Sequence, residues 1–467
     1  MFISSSSSSV RSFVFAIIVS SVLILLSGGY GGTFSITAAA TAWSLPPTFV
    51  VDLSVEPRNR WNGAVDLILS RHSYNDSFAA FFVNFQKDQL DAMSAVDKAA
   101  IVASVMQNFP THYEEMAGIA DQFNSVPDAR GVVTRDFLAL WMWFHELSHA
   151  PSSTSSFKNK KKNKECTGIL VLPADRSLPI FHARNLDQDY HTARNATLHV
   201  QFKKTSVYGD TVLFEGTGFY WTSTGLVTMQ QSNGFTFEEN WMFETVEMKD
   251  IVHCIVSLNA TPQVIQFREF LMRHLPPPPP HTTTIPAATP QQPLLMKTTT
   301  SSSSSTLFED VLQFFHHDRV FAAGQYVIFS AVGRKGGVLS LSFDTNKNKM
   351  EILEDPTTSV AVTPTKNLAK EGEWFLVQTN YNRSLPDPSD DPRRSVAIKA
   401  LKDLGREVGA TSMGAWLALT QPGVSVSDTE YSCLMSATRI PGTPQFNCVI
   451  RDFSGNSVSA TSPPTKP

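Results

Sequence analysis

A cysteine opens the segment of this chain whose residue types are best suited to nucleophilic catalysis. Cys166 is followed by an apolar run at 169–171, a turn, a second apolar run, and an Arg-Asn-x-Asp cluster. Two runs joined by a turn predict a β-hairpin, which returns Arg184 and Asp187 to the side of Cys166. A guanidinium beside a thiol favours the thiolate, which is the nucleophilic form. The alternative is a buried cysteine in an ordinary strand with an Arg–Asp pair at the surface.

Two further blocks of sequence accompany this hairpin, one made of residues 374–381 with 390–395 and the other of residues 46–61. Residues 374–381 read Trp-Phe-Leu-Val-Gln-Thr-Asn-Tyr and residues 390–395 read Asp-Asp-Pro-Arg-Arg-Ser, while segment 46–61 begins Pro-Pro-Thr-Phe and ends Arg-Trp. Together they resemble the acid ceramidase and N-acylethanolamine-hydrolysing acid amidase family, N-terminal-nucleophile cysteine hydrolases related to bile salt hydrolases. The family strings are Cys-Thr-Ser-Ile-Val, His-Gly-Arg-Asn-x-Asp, Trp-x-x-Val-x-Thr-Asn-Tyr and Asp-Asp-Arg-Arg. The three blocks follow the family order over the chain after residue 45.

The resemblance implies an α+β fold, the four-layer αββα sandwich of N-terminal-nucleophile hydrolases with an amino-terminal helical subunit. Hydrophobic spacing agrees with this, because residues 62–149 show mainly helical periods and strand patterns dominate from Cys166 onward. Helices are expected to interrupt the strands at 262–275, 307–315 and 395–404. Strand runs separated by helices are typical of stacked sheets covered by helices.

A mechanism and a set of site residues also follow from the resemblance. The chain is expected to cut itself between Glu165 and Cys166, so that the new α-amine of Cys166 acts as the proton shuttle. Arg184 would position the substrate and lower the pKa of the thiol. Asp187 would hold the α-amine. Asn380 would donate to the oxyanion and Arg393 would complete the polar floor of the site.

The chain departs from the family pattern at several positions. Glu165 is charged where the family has an apolar residue, and two extra residues lie between Cys166 and Arg184. The family glutamate has no clean equivalent, and Glu238 and Glu239 both remain candidates. Self-cleavage without help is therefore the least supported part of the carried-over mechanism.

The chain of 467 residues is organised as a secretory enzyme would be. Net charge is −4, which leaves no basic surface for nucleic acid. An apolar run at 13–26 behind Arg11 predicts a signal peptide over 1–42, with an uncleaved signal anchor as the alternative. The expected parts are a helical region at 43–165 with a Ser/Lys-rich linker at 151–165, and a catalytic region at 166–467. Residues 276–306 form a Pro-, Thr- and Ser-rich insertion that is expected to be disordered.

Glycosylation sequons and cysteines fit a lumenal protein. Sequons occur at four positions, Asn75, Asn195, Asn259 and Asn382. If Cys166 is the nucleophile, three cysteines remain. Cys433 and Cys448 both lie in the last strand region and are the expected disulfide, which leaves Cys254 unpaired.

His145-Glu146-Leu147-Ser148-His149, on a predicted helix at 137–149, matches a zinc peptidase pattern. No third ligand is identifiable, and an aromatic-rich helix packed on a sheet explains the segment equally well, so no metal or other cofactor is expected.

The predicted function is a lysosomal, acid-lumenal or secreted cysteine amidase acting on fatty N-acyl amides, either ceramide or N-acylethanolamines. Its expected partners are the lipid, a membrane or micelle surface, an activator lipid or protein, and the other half of its own cleaved heterodimer. A zinc peptidase and a non-catalytic lipid-binding relative are the alternatives.

Overall fold

The structure is a computed structural model that describes residues 42–151, 166–188, 190–206, 209–275, 304–354, 366–439 and 446–452. The predicted signal peptide up to residue 41, the linker from 152 to Glu165, and residues 276–303 of the predicted insertion lie outside these ranges. No helix within the described ranges is both long and apolar enough to cross a membrane.

Helices dominate the amino-terminal part and recur between the strands. The α-helices of the described chain are α1 (Ala64–Leu69), α2 (Ala80–Phe85), α3 (Ala95–Asn108), α4 (Pro110–Phe123), α5 (Arg135–Trp141), α6 (Phe144–Leu147), α7 (Met248–Ser257), α8 (Gln266–Arg273), α9 (Ser304–Leu312), α10 (Arg393–Gly409) and α11 (Ser412–Leu419). Turns of π-helix lie at Asn75–Ala79, Gln86–Leu90 and Gln313–His317, and turns of 3-10 helix at Pro57–Asn59, Ala193–Ala196, Tyr220–Ser223, Thr345–Lys347 and Leu368–Glu371.

The starts of several helices are encoded locally. Ser94 precedes α3, and its hydroxyl accepts a hydrogen bond from the Asp97 main-chain nitrogen at 3.0 Å. Thr134 caps α5 in the same way through the nitrogen of Phe137. Pro110 occupies the first position of α4, where a missing N–H has no cost. These caps satisfy main-chain donors that the helix itself leaves unpaired.

A six-stranded antiparallel sheet carries the cysteine hairpin. Its strands are β1 (Ala42–Ser44), β3 (Thr167–Val171), β4 (Phe181–Asp187), β13 (Phe375–Gln378), β14 (Thr429–Ser436) and β15 (Phe446–Asp452), in the order β1-β15-β14-β4-β3-β13. The hairpin strands β3 and β4 thus lie inside the sheet and are buried on both faces.

A nine-stranded sheet forms the second β layer. Its strands are β2 (Thr48–Asp52), β5 (Leu198–Ser206), β6 (Gly209–Gly218), β7 (Thr228–Gln230), β8 (Phe235–Trp241), β9 (Gln325–Ala331), β10 (Lys335–Leu341), β11 (Lys349–Glu354) and β12 (Lys366–Asn367), in the order β12-β11-β10-β9-β8-β7-β6-β5-β2. The outermost pairs, β2 with β5 and β11 with β12, are parallel, and the other pairs are antiparallel.

Alternation of side chains along the strands explains how the layers stack. On β3, Ile169 packs in one cluster with Trp416 of α11, whereas Leu170 packs with residues of the nine-stranded sheet. On β8, Phe237 turns outward and stacks on Phe267 of α8 with ring centroids 5.1 Å apart. The order is therefore helices, sheet, sheet, helices. The predicted α+β class and αββα sandwich are confirmed.

The predicted continuous helix at 137–149 is wrong in one respect. Helix α5 ends at Trp141, and α6 starts again at Phe144. Trp141 and Trp143 are both fully buried, and residues two apart in a continuous helix point in widely different directions. A turn between the helices lets both indoles enter the core.

Candidate active site

Cys166 immediately precedes β3 and is buried, with 2% of its surface exposed. Strands β3 and β4 form the hairpin, in which Gly168 pairs with Arg184 and Thr167 pairs with Asn185. This register carries the Arg184 side chain to the cysteine, and its Nη2 lies 3.4 Å from the sulfur. The residue just before the first hairpin strand and a residue of the second strand are thereby in direct contact.

The Arg184 guanidinium is fully buried between the sheets and is held by oxygen acceptors. Nη1 donates to the Val227 carbonyl and to Thr228 Oγ1, the second at 2.6 Å. Nη2 also donates to the Glu239 carbonyl at 2.6 Å. Burial alone would lower the pKa of Arg184, but nearby groups, first among them Tyr431, raise it above its usual value. The side chain therefore keeps its positive charge inside the protein.

The Cys166 thiol is neutral in this form of the chain. Burial raises its pKa to about 12, although Arg184 acts in the opposite direction. The Glu239 and Asp187 carboxylates add to the increase. The expected ionisation of the thiol by the guanidinium is thus outweighed by burial, which the sequence does not reveal.

Asp187, Arg393 and Asn380 form a second buried cluster, although they are far apart in the sequence. Arg393 Nη1 lies 2.8 Å from Asp187 Oδ2, and its Nη2 lies 3.3 Å from Asn380 Oδ1. The same guanidinium binds both carboxylate oxygens of Asp391, with Nε at 2.7 Å and Nη2 at 2.6 Å. The Thr429 hydroxyl donates to Asp187 Oδ1 at 2.5 Å. Three of the predicted site residues therefore belong to one hydrogen-bond network.

The two consecutive arginines of the Asp-Asp-Pro-Arg-Arg string have different surroundings. Arg393 is directed to Asp187, whereas Arg394 donates to Asp387 Oδ1 at 2.8 Å and to the Asn382 carbonyl at 3.1 Å. Burial raises the pKa of Asp187, and Arg393 partly opposes this increase. Only the first arginine of the string reaches the site.

Asn380 is fixed in one orientation by its two amide atoms. Its Nδ2 donates to the Trp241 carbonyl at the end of β8 at 2.8 Å, and its Oδ1 accepts from Arg393. The residue follows β13, which pairs with β3 so that Gln378 lies opposite Gly168. This pairing is what brings the carboxyl-terminal string to the hairpin.

Two tyrosines near the sulfur were not among the predicted site residues. The Tyr431 hydroxyl lies 2.7 Å from Thr228 Oγ1, and Gln188 Nε2 donates to the Tyr220 hydroxyl at 3.2 Å. Burial raises the pKa of Tyr431 to about 12 and raises that of Tyr220 well above its usual value, and Cys166 contributes to both increases. Neither tyrosine belongs to a recognisable string, so only the packing of the two sheets identifies them.

Glu238 and Glu239, between which the sequence did not decide, occupy opposite faces of β8. Glu238 Oε2 lies 3.1 Å from His182 Nε2, and a Cβ added at Gly168 would overlap the Glu238 carboxylate. Glu239 gives its carbonyl to the guanidinium described above, and its Oε2 lies 3.3 Å from His145 Nδ1. Both side chains are fully buried.

The two histidines of the zinc-like segment have protein partners at Nδ1. His145 Nδ1 contacts the Glu239 carboxylate, and His149 Nδ1 lies 2.8 Å from the Glu244 carbonyl oxygen. In the part of the chain that the structure describes, no group of three or more His, Cys, Asp or Glu side chains is placed to hold a metal ion.

The remaining cysteines divide into a pair and a single thiol. Cys433 and Cys448 are joined by a disulfide that links directly opposed positions of β14 and β15. Cys254 is a free buried cysteine, as is Cys166.

The sequon asparagines differ in exposure. Asn75, Asn259 and Asn382 are exposed, whereas Asn195 is half-buried and its amide donates to the Asp76 carbonyl at 2.8 Å. A glycan on Asn195 would have to replace that hydrogen bond.

Comparison with known proteins gives relatives of one kind. The N-acylethanolamine-hydrolyzing acid amidase of Mus musculus is 24% identical over 367 residues, 77% of this chain and 78% of the relative. The enzyme of the same name from Rattus norvegicus is 25% identical over 374 residues, 79% of each chain. That of Oryctolagus cuniculus is 26% identical over 247 residues, 52% of each chain. These similarities agree with the resemblance of the chain to the acid ceramidase and N-acylethanolamine-hydrolysing acid amidase family and indicate a hydrolase that acts on amides.

Family profiles and solved structures give weaker likenesses than these relatives do. No family profile matches the chain. A solved structure, the Caenorhabditis elegans N-acylethanolamine-hydrolyzing acid amidase ortholog, is 20% identical with a TM-score of 0.42, covering 59% of this chain and 94% of that chain. The layered architecture described above is that of this chain's own sheets and helices.

Proposed function

We propose that this amide hydrolase acts on fatty N-acyl lipids, either ceramide or N-acylethanolamines, and releases a free fatty acid and an amine. The observation that carries the proposal is the contact of the Cys166 sulfur with Arg184 Nη2 at 3.4 Å, inside a buried polar layer. Acyl transfer requires a nucleophile, a base for its proton and hydrogen-bond donors to the oxyanion, and a positive charge beside the thiol favours the nucleophilic thiolate. The names of the relatives support N-acylethanolamines as one substrate class.

Cys166 is the nucleophile in this proposal. Its sulfur attacks the amide carbonyl carbon, and the thiol proton passes to the α-amine that cleavage between Glu165 and Cys166 creates. The tetrahedral adduct then expels the amine, which takes that proton, and leaves an acyl thioester on the sulfur. A water molecule attacks the thioester, releases the fatty acid and restores the thiol.

Cleavage before Cys166 would supply a base for the neutral thiol. The sulfur is buried and its thiol pKa is about 12, so it is neither accessible nor ionised. A new α-amine, whose reference pKa is about 7.7–8.0, would supply a base next to the thiol.

The other site residues have supporting roles. Arg184 positions the carbonyl and stabilises the thiolate as the proton leaves. Asp187, which Arg393 and Thr429 hold in place, orients the α-amine. Asn380 donates to the oxyanion from Nδ2, which also donates to the Trp241 carbonyl. Arg393 then serves mainly to hold Asp187 and Asn380 together.

The two products of cleavage are proposed to stay associated as a heterodimer of 43–165 and 166–467, after removal of a signal peptide at 1–42. Buried polar contacts support this, because Arg268 binds both carboxylate oxygens of Glu115 at 2.6 Å across the cleavage point. His112 Nδ1 adds a contact with Thr224 Oγ1 at 2.6 Å. The proposed location is a lysosome or another acidic lumen, or the protein is secreted. The proposed partners are a membrane or micelle surface and an activator lipid or protein.

The proposal is tested with two cysteine variants and a measurement of the amino terminus. Cys166→Ala should abolish hydrolysis of both ceramide and N-acylethanolamine and should leave the chain uncut. Cys254→Ala, the matched variant of the other free buried thiol, should keep activity. Amino-terminal sequencing of the active form should give a fragment that starts at Cys166. Activity in Cys166→Ala, or a fully active chain uncut between 151 and 166, would reject the mechanism, and loss of activity on chelation would favour the zinc peptidase.

A further inference from the structure

The His-Glu-x-x-His segment at 145–149 has no role in the mechanism above, yet its polar side chains are buried. His145 is 3% exposed, Glu146 is fully buried and His149 is 2% exposed. Buried polar and ionisable groups cost free energy unless they have partners, so the contacts of each one are informative. The segment precedes the cleavage point, whereas its partners follow it.

His145 is held in one orientation and protonation pattern by Gln263. The Gln263 amide nitrogen donates to the Ala323 carbonyl at 3.1 Å, so its Oε1 must face His145 Nδ1 as an acceptor, also at 3.1 Å. Nδ1 therefore carries a hydrogen. Glu146 strengthens the arrangement, because its Oε1 accepts from the Gln263 main-chain nitrogen at 2.6 Å.

His145 Nδ1 also lies within ion-pair distance of a carboxylate on the site strand. Glu239 Oε2 lies 3.3 Å from Nδ1, and both residues are buried. The main chain of the same Glu239 accepts from Arg184 Nη2 at 2.6 Å, and that nitrogen lies 3.4 Å from the Cys166 sulfur. Contacts thus run without a gap from His145 through Glu239 and Arg184 to the nucleophile.

We propose that His145 is a positioning residue for Cys166, which acts through Glu239 and Arg184 and so couples the amino-terminal fragment to the nucleophile. This inference rests on the proposed function, since it assigns a residue to that same site. His145 fixes the part of β8 whose carbonyl receives the guanidinium. It also offsets a buried negative charge that would otherwise act on the thiol.

The charge effect has a defined direction. The Glu239 carboxylate raises the pKa of the Cys166 thiol, so loss of its histidine partner should make the thiol harder to ionise. Replacement of the carboxylate by an amide should have the opposite effect. Other charged or titratable groups interact electrostatically with His145, Glu239 or Cys166, namely Arg184, Glu146, His149, Asp187, Tyr220 and Tyr431.

The test compares histidine variants of similar burial in the processed enzyme, all in a Cys254→Ala background so that Cys166 is the thiol that reacts. His145→Ala should lower kcat by roughly 10- to 100-fold with KM changed less than about 3-fold, because small misplacements of catalytic groups cost this much. His145→Gln, which keeps a donor, should restore most of kcat. His149→Ala, whose Nδ1 partner is the Glu244 carbonyl, should reduce kcat much less.

Iodoacetamide alkylation of Cys166 as a function of pH is the second measurement, because it follows the thiol without a substrate. The pH midpoint of Cys166 alkylation should rise in His145→Ala and fall in Glu239→Gln. If His145→Ala does not fold, Glu239→Gln still tests the proposal. Equal losses of kcat in His145→Ala and His149→Ala of matched thermal stability, or unmoved midpoints, would reject the positioning role. Activity in Cys166→Ala would instead reject the proposed function, which separates the two failures.

Discussion

The layer between the two sheets has a polar end at Cys166 and an apolar end away from it. At the polar end, Arg184, His182 and Glu238 are buried side by side with hydroxyl groups. At the apolar end, the same strands and their neighbours bury an aliphatic cluster with one tyrosine, formed by Leu170, Leu172, Ile180, Tyr326, Ile328, Val338, Leu353, Leu368 and Leu376. Alternation along the strands directs both sets of side chains into one layer.

At the polar end, partners for the buried charges come from several different strands and helices. Each terminal nitrogen of Arg184 has acceptors, and Asp187 is held by Arg393 and Thr429. If one member of such a hydrogen-bonded group is removed, the remaining charge or donor stays buried in a low-dielectric interior without its partner. Changes at the polar end should therefore affect catalysis, whereas changes at the apolar end should affect stability alone.

The largest difference between the two ends is expected in kcat, when Arg184→Met at the polar end is compared with Leu353→Ala at the apolar end. Arg184→Met removes the charge beside the sulfur, so kcat should fall by roughly 100-fold or more. Leu353→Ala leaves a cavity at the apolar end and should cost about 2–5 kcal/mol of unfolding free energy without a change in kcat of the folded enzyme. Urea unfolding and steady-state kinetics at a temperature where both variants are folded make the comparison. An equal loss of kcat in Leu353→Ala would mean that the two ends are not functionally distinct.

A second contrast concerns pH, because buried acids and histidines titrate and the aliphatic side chains do not. Burial raises the pKa of Glu146 from 4.5 to about 8 and lowers that of His149 from 6.5 to about 3. In the unfolded chain Glu146 ionises above pH 4.5, so its burial costs stability as pH rises from 4.5 to 8. His149 gains a proton below pH 6.5 only when unfolded, so its burial costs stability as pH falls from 6.5 to 3. Between pH 4.5 and 6.5, the slopes of unfolding free energy against pH that Glu146 and His149 contribute have opposite signs and cancel. The protein should therefore lose stability below pH 4.5 because of His149 and above pH 6.5 because of Glu146.

Single variants separate the two contributions. Relative to wild type, Glu146→Gln should gain stability as pH rises from 4.5 to 8, and His149→Gln should gain stability as pH falls from 6.5 to 3. Each change is bounded at roughly 5 kcal/mol, since one pKa unit is worth about 1.4 kcal/mol. Urea unfolding at pH 4, 5.5 and 7.5 measures both, and Leu353→Ala should show a constant cost. A pH-independent difference for Glu146→Gln would mean that its carboxyl group is not buried in the folded chain.

The smallest expected difference is in unfolding free energy, when one glycine from each end of the layer is replaced by alanine. Gly168→Ala would place a methyl group on the Glu238 carboxylate, whereas Gly336→Ala would meet the Ile180 and Leu170 methyl groups at 3.1 and 3.2 Å and the nearby Phe329 carbonyl. Gly168→Ala should cost about 1–3 kcal/mol, and Gly336→Ala less, since apolar side chains can shift by a few tenths of an ångström.

A double variant identifies the cause of the cost at residue 168. Glu238→Ala removes the carboxylate that the new methyl group would meet, so the double variant should be more stable than the sum of the single effects. Urea denaturation of the four proteins gives the coupling energy. Strict additivity would show that Glu238 does not occupy the space beside Gly168.

The sequence predicted the elements of the fold better than it predicted their electrostatics. Alternating apolar residues and the turn after residue 171 were enough to predict the hairpin, and the strings at 374–381 and 390–395 pointed to Asn380 and Arg393. The ionisation of Cys166 could not be predicted, because it depends on burial between two sheets that only the tertiary structure provides.

Site residues that lie outside the family sequence motifs could not be predicted either. Tyr431 and Thr228 come from different sheets and meet only when the layers pack. Glu238 and Glu239 could not be separated, because the choice depends on which face of β8 turns towards the hairpin. His145 matched a metal pattern, yet its Nδ1 partner is Glu239 from a distant strand.

Mass spectrometry of the enzyme trapped with a thiol-reactive fatty acyl probe tests the central claim most directly. Cys166 is predicted to be the residue acylated, on a peptide that begins with Cys166 itself, and labelling should proceed in parallel with loss of amidase activity. Substrate added beforehand should protect the thiol. Stoichiometric labelling of Cys254 with Cys166 unmodified, or full activity after complete labelling of Cys166, would contradict the assignment of Cys166 as the nucleophile.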